Sequence, residues 1–99
     1  MSPMTSETTE VFRNRLRELP NEVRALARRT YARWQSDSHH PSLQFKRVHA
    51  SEPIYSVRIG LHWRAICILE DDAAIWFWIG SHAEYDLSLI HISEPTRPY

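Results

Sequence analysis

The feature that most constrains this chain is a change of hydrophobic period at a single loop. Up to Trp34, apolar residues recur every three or four positions; from Leu43 onward they alternate every two. The stretch between, Ser36 to Ser42 (SDSHHPS), is a loop by composition, and Pro41 disfavours helix at His40. All the helical pattern comes first and all the strand pattern follows, which argues against repeated strand–helix–strand units. The expected class is α+β, a two-helix hairpin packed on a three- to four-stranded antiparallel sheet.

The elements follow in order. Met1 to Glu10 is polar and reads as a loose start, with Thr8 as candidate N-cap. Val11, Phe12, Leu16 and Leu19 predict a first helix, stopped by Pro20. Val23, Leu26, Ala27, Tyr31 and Trp34 form the apolar stripe of a second, with Arg24, Arg28, Arg29 and Arg33 off it. The short join predicts an antiparallel hairpin. Leu43 and Phe45 alternate with Gln44 and Lys46, and Tyr55, Val57 and Ile59 with Ser56 and Arg58. Gly60 to His62 reads as a turn, Trp63 to Leu69 as the next strand and Glu70 to Asp72 as an acidic hairpin turn. The run AIWFWI, Ala74 to Ile79, predicts the most buried strand. Strict alternation there buries Ile75, Phe77 and Ile79 on one face and leaves Trp76 and Trp78 for the other face or a partner.

A 99-residue chain is expected to be one domain. A hydrophobic share of 42% supports a core and argues against disorder. Mean hydropathy is −0.47, and no apolar run reaches the length of a membrane span. The polar N-terminus and the lone Cys67 point to a reducing, cytoplasmic location. The zero net charge hides an asymmetry. Up to Arg64 there are eleven Lys or Arg against six Asp or Glu; from Ala65 to Asp86 there are five Asp or Glu and no Lys or Arg. That distribution permits a nucleic-acid face without supplying one.

The end of the sequence reads differently. LSLIHISEPTR, from Leu87, is what results from translating a widely used transposase sequencing adapter. Residues 1–86 are therefore expected to be the domain, and Leu87 to Tyr99 an adapter-derived tail without function.

Five segments carry a family resemblance, in the family's order: LPNEVRALARRTY, HPSLQFKRV, YSVRIGLHWRA, IWFWIG and GSHAEYD. With them the chain resembles toxins of the RelE/ParE superfamily of bacterial type II toxin–antitoxin systems, in its RelE/HigB-like branch. GSHAEYD after an apolar strand is the most specific piece. Many relatives open with a short strand, for which Met1 to Glu10 lacks the apolar alternation. The resemblance implies a cognate antitoxin as partner and one of two activities. Some members cleave mRNA on the translating ribosome, whereas others bind and inhibit DNA gyrase without nuclease activity. A third reading is a non-toxic remnant that keeps antitoxin binding.

For the nuclease, the resemblance implies Arg58, His82 and Tyr85 as catalytic residues, with Lys46, Arg47 and Arg64 as RNA-binding residues. Attack of a ribose 2′-hydroxyl on the adjacent phosphate needs cations to stabilise the transition state and a group that exchanges protons, which imidazole does near neutral pH. No metal or cofactor is expected. Ordinary roles compete with each assignment: strand pairing for Arg58 and Arg64, a solvated edge for Lys46 and Arg47, a turn for His82, core packing for Tyr85. His39, His40 and His49 match no metal-ligand spacing, and Cys67 reads as a small core residue. A face carrying both Trp76 and Trp78 would suit the antitoxin.

Overall fold

The computed structural model describes residues 5–85. The chain runs β1 (Thr5–Thr8), α1 (Glu10–Arg17), α2 (Asn21–Ser36), a 3-10 turn (Pro41–Leu43), β2 (Lys46–Arg47), β3 (Ile54–Ile59), β4 (Trp63–Glu70) and β5 (Ala73–Ser81). The five strands form one sheet in the order β1-β5-β4-β3-β2. All pairs are antiparallel except β1 with β5. This is the expected α+β fold with more strands than expected.

The additional strand is β1, which corrects the reading of the N-terminus as loose. An edge strand needs backbone partners more than an apolar face. Thr5 N donates to Asp72 O at 2.8 Å and Thr9 N to Trp76 O at 3.0 Å. Only Ser6 in this strand is half-buried, and the β-branched threonines suit the pleat. The cap of α1 is accordingly Thr9 rather than Thr8: its hydroxyl accepts from Phe12 N at 3.1 Å.

Pro20 caps α2 and separates the helices as its fixed φ demands. Arg24 locks the join, its Nη1 donating to Arg17 O and Leu19 O, both at 2.9 Å. From this closed end the helices spread over the sheet, α1 on β5 and α2 on β3. Between them lies a cavity of about 490 Å³ whose floor includes Val57, Ile59, Trp76 and Ile79.

The core fills the helix-facing side of the sheet. Trp34, 4% exposed, meets Trp76 edge-on at 5.2 Å and Phe45 at 5.8 Å. Here the sequence expectation about the tryptophans fails. The β4–β5 register passes from Ile66↔Trp78 to Cys67↔Trp76, which leaves Phe77 as an extra residue in β5. Such a bulge resets the two-residue period. Trp76 turns into the helix-side core and is 5% exposed, while Phe77 and Trp78 both join the cluster on the far face. No exposed tryptophan pair results.

Candidate functional site

The far face of the sheet, away from α1 and α2, gathers polar residues from three strands, β2, β3 and β4. Directly paired residues of antiparallel strands share a face. Lys46 pairs with Ser56, Ser56 with Ile66, and Ile66 with Trp78. In the next row Arg58 pairs with Arg64, and Arg64 with Gly80. Two arginines thus stand opposite one another, with a glycine beside them that projects no side chain.

Arg64 is buried, with 8% of its surface exposed. Its Nη2 donates to Gln44 Oε1 at 3.0 Å, and its Nη1 to Ser56 Oγ at 3.5 Å. The guanidinium lies 5.1 Å over the Tyr85 ring, and the Tyr85 hydroxyl donates to the same Ser56 Oγ at 3.4 Å. Among the described residues the buried Nε–H of Arg64 has no acceptor. Among the described residues no carboxylate pairs with Arg64 or Arg58. A buried guanidinium held by neutral groups alone is a costly arrangement that an anionic ligand relieves. Arg58 turns partly aside, its Nε donating to Gly60 O at 2.7 Å across the β3–β4 turn.

Residues 82–85 form a helical turn that follows β5. Its hold is Glu84, whose Oε1 accepts from Ser81 N at 3.0 Å and pairs with Arg15 Nη2 at 3.3 Å. The hydrogen bond from Ser81 N–H is the main cause that lowers the Glu84 pKa below its ordinary value; burial opposes it, and the Ser81 hydroxyl and Arg15 lower it further. Arg15 comes from α1 around the sheet edge. Its Nε donates to Ile79 O at 2.6 Å, and its guanidinium stacks 4.7 Å from the Trp78 ring. The Trp78 and Tyr85 rings are 6.4 Å apart. Two neighbouring rings, Tyr85 and Trp78, therefore lie between two cations, Arg64 and Arg15.

Of the sequence-expected residues, Arg58, Arg64, Tyr85 and Lys46 share this face. His82 is exposed beside it, its ring 6.0 Å from Tyr85 and its N–H donating to His62 O at 2.7 Å. Arg47 is not brought together with them. It pairs with Tyr55, whose ring faces the helix-side core, and its Nε donates to His49 O and Glu52 O. Gln44, Ser56, Trp78 and Arg15 were not anticipated as part of this cluster. A serine inside apolar β3 and a glutamine between Leu43 and Phe45 were the available signal for two of them.

The remaining candidates have structural duties. His49 Nδ1 accepts from Glu52 N at 2.9 Å and organises the loop before β3. Burial pushes the Cys67 thiol up to about 12, so it is no nucleophile at neutral pH. Among the described residues no group of three His, Cys, Asp or Glu is placed to hold a metal, and no helix is long and apolar enough to cross a membrane. The expected adapter-derived tail, Leu87 to Tyr99, lies outside the described residues, as does Asp86.

Comparison with known proteins agrees with this architecture. The RelE chain of a RelB–RelE antitoxin–toxin complex from Methanococcus jannaschii is similar, with TM-score 0.66 at 19% identity over 82% of this chain and 96% of that one. A RelE–RelB complex from Pyrococcus horikoshii gives TM-score 0.66 at 10% identity, covering 81% and 96%. The isolated RelE toxin of E. coli gives 0.62 at 12%, covering 90% and 98%. At such identities the likeness is one of fold. No curated protein matches the sequence. The family model of the ParE-like toxin domain matches residues 21–86, two-thirds of the chain and every part of the far-face cluster except Arg15. The chain belongs to the ParE-like toxin domain family.

Proposed function

We propose that this protein is the toxin of a type II toxin–antitoxin pair and that it cleaves mRNA on the translating ribosome. The observation that carries this reading is the Arg58–Arg64 pair, two cations on facing strands with no carboxylate between them among the described residues. A phosphodiester supplies the missing negative charge. In the reaction the 2′-oxygen bonds to phosphorus as the bond to the 5′-oxygen breaks. The 2′-hydroxyl proton is taken up, and a proton is delivered to the leaving oxygen. The products are a 2′,3′-cyclic phosphate and a 5′-hydroxyl. Arg64 and Arg58 stabilise the dianionic transition state. His82, exposed at the rim, moves protons, while Tyr85 holds the Arg64 plane and Lys46 grips a flanking phosphate. The step needs no metal.

The partner in this reading is a cognate antitoxin, supported by the similar fold found in the RelB–RelE complexes from Methanococcus jannaschii and Pyrococcus horikoshii. The cavity between α1 and α2 suits it. Its floor is apolar, and Arg13, Arg24 and Arg28 stand among its lining residues, which fits an acidic amphipathic helix.

The test is cleavage of a reporter mRNA in a translating extract. Wild-type protein is expected to cut the message, Arg64→Ala to leave it whole, and added antitoxin to block cutting. The ParE-like family match favours a second reading, a binding-only inhibitor of DNA gyrase. It predicts blocked supercoiling with intact mRNA. Neither effect would indicate a remnant that keeps only antitoxin binding.

A further inference from the structure

We infer that Gln44 is a positioning residue, which fixes the plane and direction of the Arg64 guanidinium from outside the catalytic set. Its consequence for cleavage rests on the reading of Arg64 as the phosphate ligand.

Gln44 adopts a left-handed backbone, with φ 45° and ψ 45°, at the end of the 3-10 turn. That region is unfavourable for a side chain with a Cβ, and glycine, asparagine and aspartate are the residues usually found there. The chain accepts it because both neighbours are anchored. Leu43 is 2% exposed in the helix-side core, and Phe45 packs there between Trp34 at 5.8 Å and Tyr55 at 5.0 Å. Gln44 N also donates to Pro41 O at 3.2 Å, which closes the turn. With both neighbours sunk on one side, the left-handed residue delivers its amide to the opposite face.

The amide oxygen takes Nη2 of Arg64 at 3.0 Å. The other contacts leave the guanidinium free to turn. Ser56 Oγ lies at the 3.5 Å limit, and the Tyr85 ring supports a plane without fixing rotation within it. Gln44 is thus the one firm directional hydrogen bond on the guanidinium among the described residues. A neutral acceptor also leaves the full positive charge for a ligand, which a carboxylate at this position would cancel.

The experiment uses the full chain with Gln44→Gly and Gln44→Glu, read three ways: melting temperature, guanidinium nitrogen–proton NMR signals of Arg64, and kcat and KM for RNA cleavage. Gln44→Gly removes the amide and relieves the backbone together, so its melting temperature should stay within about 3 °C of the parent. The separate Nη signals of Arg64 should merge as the group begins to rotate, and kcat/KM should fall by about tenfold. Gln44→Glu should keep the Nη signals separate while raising KM, because the charge is held but neutralised. Separate Arg64 signals in Gln44→Gly would overturn the inference whether or not the protein cuts RNA. Faster cleavage by Gln44→Gly would overturn it too, since Gln44 would then be a plug on Arg64. Merged signals in Gln44→Gly, with a wild type that never cuts RNA, would uphold the positional role and remove the nuclease reading instead.

Discussion

Arg58 and Arg64 face each other across β3 and β4, a pair of like charges at a position where antiparallel sheets favour opposite ones. Arg64 is buried, and its Nε–H has no acceptor among the described residues. Such a residue detracts from folding stability unless an anion is bound. Replacing it with an apolar side chain of similar length should therefore stabilise the fold: Arg64→Met is expected to gain about 1 kcal/mol or more in urea denaturation. A loss of that size would make Arg64 a structural residue.

Gly80 is the second device of the site. A Cβ there would lie 2.7 Å from both the Trp78 ring and Arg15 Nη2. The Trp78 ring is bulky and held by Arg15, so it cannot yield without opening the stack. Gly80→Ala should cost about 1–3 kcal/mol in thermal or chemical denaturation. A neutral result would mean that the ring and the guanidinium move aside freely.

The Arg15–Glu84 contact makes a prediction about acid. Glu84 has a lowered pKa in the folded chain, so its contribution is fully present above its ordinary value of 4.5 and is lost as the pH falls through the folded value. Urea midpoints measured from pH 6 downward should drop more steeply for wild type than for Glu84→Gln below about pH 4.5. Parallel curves would show that the contact adds nothing to stability. The side chain is 55% exposed, so solvent screening keeps the effect small.

Arg28 is exposed and lines the cavity between the helices. If an acidic antitoxin helix seats there, Arg28→Glu should weaken the complex about tenfold in calorimetry, and more at low salt. Arg64→Ala, on the other face of the sheet, should bind the antitoxin as wild type does. Unchanged affinity in Arg28→Glu would move the antitoxin to another surface.

Much of this fold was legible because period and punctuation agree along the chain. Trp34 and Leu26 at helical spacing, Val57 and Ile59 at strand spacing, and Pro20 and Gly60 at the turns all report local preferences. What escaped depends on non-local pairing. β1 exists because β5 offers an unpaired edge, which Thr5 to Thr8 cannot announce. The bulge at Phe77 is a property of how β5 meets β4, and it alone decides that Trp76 is core and Trp78 belongs with Tyr85. That Arg58, Arg64 and Tyr85 share one face follows from the pairing of β3 with β4 and from the turn after β5, whereas the family likeness only named them. Gln44 was hidden, since its role depends on a left-handed turn and a partner twenty residues away. Arg15 reaches the cluster from a helix on the opposite layer, a route no pattern in EVFRNRLR reveals.

The most direct test of the paired arginines is cleavage of one reporter mRNA, in a translating extract, by wild type, Arg58→Met and Arg64→Met. Wild-type cutting that is lost in Arg64→Met, while that variant melts no lower than its parent, is the expected result. Undiminished cutting by a folded Arg64→Met protein would contradict the assignment of Arg64 to the scissile phosphate.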